Sequence, residues 1–260
     1  MVLCLDIGNS QIYGGLFLDE KLCFDFHRVT NEAISSDELG LFLTMLLREN
    51  GYDPSEVTAV AYCSVVPDLN PVLERCCKRY FKTMPFSLQA GVKSGLKIRY
   101  SNPHELGSDM IANAIAGLEL YPGRDLLIFD FATATTVCGV NADGEYLGGA
   151  LLPGMKITME ALSKRTARLP EVEIARPRRV CGKSIVEGIQ SGLYYGNLGM
   201  IKELKSRMHR ELFPQSKPVV IATGTYAELY TNEGVFDDLI SDLVLLGVHK
   251  AFQLNNREGL

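Results

Sequence analysis

The sequence lacks the marks of most specialised classes. It has no apolar run of the roughly 18 residues that a membrane-spanning helix requires, so no membrane partner is expected. It has no C-x-x-C pair. The seven cysteines (Cys4, Cys23, Cys63, Cys76, Cys77, Cys138 and Cys181) are odd in number and lie mostly in apolar surroundings, so they read as buried reduced thiols of a cytoplasmic protein. The adjacent Cys76 and Cys77 fall in an expected helix and read as packing. The four histidines, His27, His104, His209 and His249, lack zinc-ligand spacing. There is no excess of positive charge: 26 basic against 31 acidic residues give a net charge of −5, which argues against a nucleic-acid partner. Met1 to Asp6 carries an acid and no basic cluster, so it does not read as a signal peptide. With 24 glycines and 11 prolines in 260 residues, collagen-like and low-complexity classes are also excluded.

What is present is an ordinary globular composition, 47% apolar and 22% charged, in a chain long enough for one large or two small domains. Its main feature is a repeat. Residues 2–8 form an apolar run interrupted by Asp6. A Gly8-Asn9-Ser10 turn, a second strand over 12–18, an Asp19-Glu20 turn and an alternating third strand over 22–27 follow. Residues 127–140 reproduce this layout. At a constant offset Asp6 falls on Asp130, Ile7 on Phe131, Gly8 on Ala132, Asn9 on Thr133 and Gly15 on Gly139. Asp143-Gly144 then turns into a third strand over 146–152.

Between the copies, helices and strands alternate. Ser35 and Glu38 form a capping box that opens a helix to Asn50. A buried strand is expected over 57–66, a helix over 70–81 and a strand over 85–89. A further helix over 109–120 is capped by Gly107 or Ser108. The second half adds helices over 156–163 and 184–210 and a strand over 218–222 ending in Thr223-Gly224-Thr225. The stretch 235–253 begins loop-like and ends helical. Tyr194-Tyr195 reads equally as core or interface. The pattern predicts an α/β fold with one mixed sheet per half, flanked by helices, and domains at 1–117 and 118–260.

A strand that ends in Asp and turns through small residues offers backbone N–H groups to phosphate oxygens and a carboxylate to hydrated Mg²⁺. Two such turns facing each other would grip a nucleoside triphosphate. The motifs go further. Asp6-Ile-Gly-Asn-Ser10, Asp130-Phe-Ala-Thr-Ala-Thr-Thr136, Tyr100-Ser-Asn-Pro103 with Gly107-Ser-Asp109 and Asn113, Gly148–Gly154, and Thr166–Pro170 together resemble the type III pantothenate kinases of the actin-like, sugar-kinase and heat-shock ATPase superfamily.

That resemblance implies two actin-like (ribonuclease H-like) domains related by duplication, a nucleotide cleft between them, and a homodimer. It implies transfer of the γ-phosphoryl group of ATP to the primary hydroxyl of pantothenate, the first step of coenzyme A synthesis, with Mg²⁺ and a monovalent cation, K⁺ or NH₄⁺. Asp109 would be the general base. Asp6, Ile7, Gly8, Asn9, Ser10, Gln11, Ile12, Tyr13 and Thr133 would bind ATP, with Asp6 near the metal. Asp130 would hold the monovalent cation. Tyr100, Gly107, Ser108, Asp109, Met110 and Ile185 would line the pantothenate pocket. Three positions depart from the family pattern: Met110 stands where an Arg is usual, Ala132 where a Gly is, and Ile185 where a Thr is. These keep two alternatives in view, a kinase for another small primary alcohol and a nucleotide-binding regulatory protein.

Overall fold

The computed structural model describes residues 1–256. In chain order its first elements are β1 (Val2–Ile7), β2 (Gln11–Leu18), β3 (Lys21–Val29), α1 (Ser36–Glu49), β4 (Ala59–Ser64), α2 (Asn70–Cys76), β5 (Phe86–Ser87), β6 (Lys97–Ile98) and α3 (Ser108–Leu120). Then come β7 (Leu126–Phe131), β8 (Ala134–Val140), β9 (Glu145–Pro153), α4 (Met155–Arg165), α5 (Ile185–Leu212), β10 (Val219–Thr223), β11 (Asp238–Leu239) and α6 (Leu243–Asn256). The chain forms two compact units. One holds residues 1–96, 101–116 and α6; the other holds residues 97–100 and 117–242. The break between Ala116 and Gly117 falls inside α3, and the chain returns to the first unit for its last helix.

In the first unit the sheet order is β3-β2-β1-β4-β5. β1 is the central strand and is buried on both faces, so it reads as a continuous apolar run rather than an alternation. Only Asp6, near its C-terminal end, interrupts that run. α1 starts at the expected capping box: Ser35 Oγ accepts from Glu38 N at 3.1 Å, and Glu38 Oε2 accepts from Ser35 N at 2.8 Å. Leu39, Leu43 and Leu47 form its buried stripe, at one-turn spacing, against Leu3, Leu5 and Leu73. The helix expected over 70–81 is not uniform. After α2 the backbone widens into a π-helical turn over Cys77–Phe81, closed by Lys82 at φ 58°. Cys76, Cys77 and Phe81 are all buried there, so the cysteine pair is packing.

The second unit repeats the design. Its sheet order is β11-β10-β7-β8-β9-β6, the same meander and parallel pair with β6 added beside β9. β7 is again a buried run broken only by its acid, Asp130. The register corrects one expectation. Ile7 pairs with Ile12, with four residues between them, whereas Phe131 pairs with Thr135, with three between them, one residue fewer. Gly15 therefore pairs with Cys4 while Gly139 pairs with Leu127, and the two glycines are not equivalent. Tyr194 is core. It is fully buried, stacks on Tyr230 at 5.2 Å, and its hydroxyl donates to Glu233 Oε1 at 2.7 Å. The fold is thus two mixed α/β units that repeat one strand layout. Among the described residues no helix is long and apolar enough to cross a membrane.

Candidate active site

The first acidic turn is held from below. Gly8 N donates to Gln11 O at 3.0 Å, Thr30 Oγ1 donates to Gly8 O at 2.6 Å, and Thr30 N donates to Ser10 O at 3.0 Å. The residue after β3 thereby pins a turn 20 residues earlier in the chain. Asn9 and Gln11 are exposed on it. Ile7 and Ile12 have their side chains in the core, so they can offer a ligand only backbone. Tyr13 is buried and stacks on His27 at 4.2 Å. Asp6 lies opposite Cys63 in the parallel pairing of β1 and β4, and its Oδ1 accepts from Cys63 Sγ at 3.2 Å.

The start of α3 is fastened to the end of β4. Ser108 Oγ accepts from Ser64 N at 2.9 Å and donates to Ser64 O at 3.0 Å. The Ser108 hydroxyl is therefore committed to the fold, one residue before the expected base. Asp109 Oδ1 accepts from Met110 N at 2.8 Å. Gly107 makes room for that carboxylate, because a Cβ there would stand 2.4 Å from Asp109 Oδ1. Burial raises the Asp109 pKa above the usual aspartate value, outweighing its backbone hydrogen bonds, which pull the other way. Met110 is buried beside it. Burial, and then the negative charges of Asp6 and Asp109, hold the Cys63 thiol well above its ordinary pKa. The two carboxylates thus bear on one buried thiol.

Beside Gly107 and Ser108 lies a cavity of about 300 Å³, lined also by Ser64, Asn70, Ser87 and Gln89. Asn70 Oδ1 is buried there without a hydrogen-bond partner. Sequence reasoning missed this residue. An Asn opening a helix reads as a cap, yet no side-chain cap is made at the start of α2. A groove of about 340 Å³ on the second unit, lined by Lys202, Lys205, His209 and Glu233 among others, contains none of the expected residues.

The remaining candidates belong to the second unit. Asp130 ends β7, opposite Thr223 on β10. Gly224 comes next at φ 87°, where a Cβ would stand 2.4 Å from Asp130 Oδ1 and 2.7 Å from Phe131 N. Only glycine allows both that backbone angle and that approach. Thr133 sits in the short turn, where Ala132 N donates to Ala134 O at 3.1 Å. Ala132 is exposed with negative φ, so its methyl brings no strain where the family has glycine. Tyr100 packs edge-on against Tyr146 at 5.5 Å. Ile185 is exposed at the first position of α5, after the cap made by Ser184 Oγ, which accepts from Glu187 N at 3.2 Å. Among the described residues no three His, Cys, Asp or Glu side chains cluster as a metal site.

Known proteins decide the family. The family model described as type III pantothenate kinase matches residues 2–207. The chain belongs to the type III pantothenate kinase family. A type III pantothenate kinase of Legionella pneumophila (strain Corby) is 48% identical over 255 residues, covering 98% of this chain and 99% of that protein. Type III pantothenate kinase 1 of Francisella tularensis subsp. holarctica (strain OSU18) is 42% identical, covering 98% and 100%. Among solved structures, MreB 5 of Spiroplasma citri, bound to AMPPNP, superposes with a TM-score of 0.57 at 10% identity over 100% of this chain and 98% of that one. At that identity the likeness concerns the fold alone, which is of the actin-like type.

Proposed function

We propose that this chain phosphorylates pantothenate with MgATP to give 4′-phosphopantothenate, the first step of coenzyme A synthesis. Family membership over nearly the whole length supports the reaction, and it does not favour a regulatory role or another acceptor alcohol. The observation that carries the assignment of roles is the pair of hydrogen bonds between Ser108 and Ser64, which fastens the start of α3, one residue before Asp109, to the end of β4, the strand paired with β1 and its Asp6. It supports a phosphate-site carboxylate and a proton acceptor carried by neighbouring elements of the first unit.

The chemistry follows from those residues. The turn over Gly8–Ser10, with Gln11 to Tyr13 behind it, is assigned to the ATP phosphates, and Thr133 is assigned as an ATP contact. Asp6 sits near the metal; an Mg²⁺ ion needs one or two carboxylates, with phosphate and water oxygens completing its shell, and it neutralises developing phosphate charge. Asp109 accepts the proton of the primary hydroxyl as that oxygen bonds to the γ-phosphorus and the bond to the β–γ bridging oxygen breaks. Its raised pKa makes it a stronger base than a solvated aspartate. Gly107, Ser108 and Met110 bound the pantothenate pocket on the first unit, and Tyr100 and Ile185 are assigned as further pantothenate contacts. Asn70 Oδ1, unpaired in the polar cavity, suits a substrate hydroxyl or amide N–H.

Asp130 is the ligand of a monovalent cation, K⁺ or NH₄⁺. Its carboxylate and the adjoining backbone are hard oxygen donors of the type such ions take, and the ion would supply fixed positive charge toward the phosphates. The chain is assigned as a homodimer, whose partner would cover exposed apolar side chains of the second unit such as Leu151, Ile157 and Leu162. The enzyme is assigned to the cytoplasm, with reduced cysteines.

The test is ADP release with MgATP and pantothenate, in KCl and in K⁺-free buffer. Pantothenate- and K⁺-dependent turnover that disappears in Asp109→Asn is expected. Folded protein that binds ATP but shows no pantothenate-dependent turnover refutes the assignment.

A further inference from the structure

Cys63 is a buried thiol for which phosphoryl transfer has no direct use. It is fully buried in β4, on the strand beside β1, and its Sγ donates to Asp6 Oδ1 at 3.2 Å. Five of the seven cysteines are buried, but this one faces a carboxylate of the site. A thiol is a weak donor, and its Sγ stands within hydrogen-bond reach of Asp6 Oδ1. The repeat gives an independent reason to look here. The residue opposite Asp130 in the matching parallel pair is Thr223, another side chain with a hydrogen to give. Both copies therefore place a small donor-bearing residue opposite the acid that ends the first strand, where packing alone would accept alanine or valine.

We infer that Cys63 is a positioning residue for the MgATP site: its S–H···O hydrogen bond to Oδ1 helps hold the Asp6 carboxylate in place for the metal–phosphate group before ATP arrives. The inference rests on the reading of Asp6 as the carboxylate near Mg²⁺. Without the donor, Asp6 loses one of its restraints, and the site must restore that order during binding. The cost falls on MgATP affinity and leaves pantothenate binding untouched.

The test compares the full-length wild type with Cys63→Ala, Cys63→Val and Cys63→Ser by calorimetric titration with MgATP, by KM for each substrate, and by thermal melting. Ala and Val both lack the donor but differ in volume, so either one serves if the other fails to fold. Ser keeps the donor. Expected is a roughly three- to tenfold weaker MgATP affinity in Ala and Val, the loss of about one ordinary hydrogen bond. The KM for MgATP should rise in parallel, the KM for pantothenate should not change, and Ser should restore most of the loss. Wild-type affinity in Ala or Val overturns the inference. So does a Ser variant as weak as Ala, because shape rather than hydrogen bonding would then be responsible. A wild type that does not bind MgATP refutes the underlying assignment instead, and Asp6→Asn separates the two. If Asp6→Asn binds MgATP as well as wild type, the role given to Asp6 is wrong, whatever Cys63 does.

Discussion

Replacing Gly107 with alanine should damage catalysis while leaving the fold intact. The added Cβ would lie 2.4 Å from Asp109 Oδ1, with the next neighbours at 3.5 Å (Asp109 Cγ) and 3.8 Å (Met110 Cγ). No backbone atom obstructs it, and Gly107 has no left-handed φ, so the chain itself is not strained. The collision is relieved by swinging the carboxylate away. That breaks the bond from Met110 N at 2.8 Å. A hydrogen bond to a charged group is worth about 1.5–3 kcal/mol, which at about 1.4 kcal/mol per decade converts to a ten- to hundredfold loss. The loss should appear in kcat, because the base leaves its place while the ATP turn stays where it is. A modest rise in KM for pantothenate is also expected. Stability should hardly move, since Gly→Ala stiffens the unfolded chain and offsets the local repulsion. The assay is steady-state ADP release at saturating K⁺, with KM for each substrate and a melting curve. A kcat within twofold of wild type at unchanged Tm would refute the placement of Asp109 as base. So would a loss of activity that merely follows a loss of folded protein.

Three further substitutions probe other joints of the site. Asp109→Asn should lower kcat by about 10²- to 10⁴-fold and raise Tm at neutral pH. Because the folded-state pKa of Asp109 is raised, folding favours its protonated form; that stability is complete in acid and is lost as pH rises through the folded pKa, a cost asparagine does not carry. The Tm gap should close toward acid pH, the acidic limb of wild-type kcat should lie above the ordinary aspartate range, and a constant gap would contradict this reading. Gly224→Ala should destabilise by about 2–5 kcal/mol, combining the left-handed strain with overpacking against Asp130 and Phe131, and should reduce K⁺ activation; unchanged melting and an unchanged K⁺ response would count against it. Met110→Arg places a guanidinium at a buried position and should lower Tm, with pantothenate restoring part of the loss by binding the folded state; a Tm insensitive to both the substitution and the ligand would show that residue 110 does not face the substrate.

What could be read in the sequence was local or repeated. The capping box at Ser35 and Glu38 needs only four consecutive residues, and the two acidic turns announce themselves because an acid breaks an otherwise buried strand twice. Longer-range features were hidden. Nothing near residue 243 says that α6 rejoins the first unit, since that depends on a surface completed more than 100 residues earlier. The π-helical turn after Cys76 preserves the apolar pattern of an ordinary helix. Cys63 looked like any buried thiol until β4 was paired with β1, and Asn70 looked like a cap. The glycine match was misread because one missing turn residue shifts every partner on the following strand while leaving its composition unchanged.

That missing residue has a wider meaning. A duplicated gene begins with two identical tools, and a molecule with two identical halves has no means of telling donor from ion. Dropping one residue from the second hairpin changes how many amides surround the acid there without touching the sheet that carries it. A single codon in a loop is thus enough to give the two copies different backbone surroundings at the same acid.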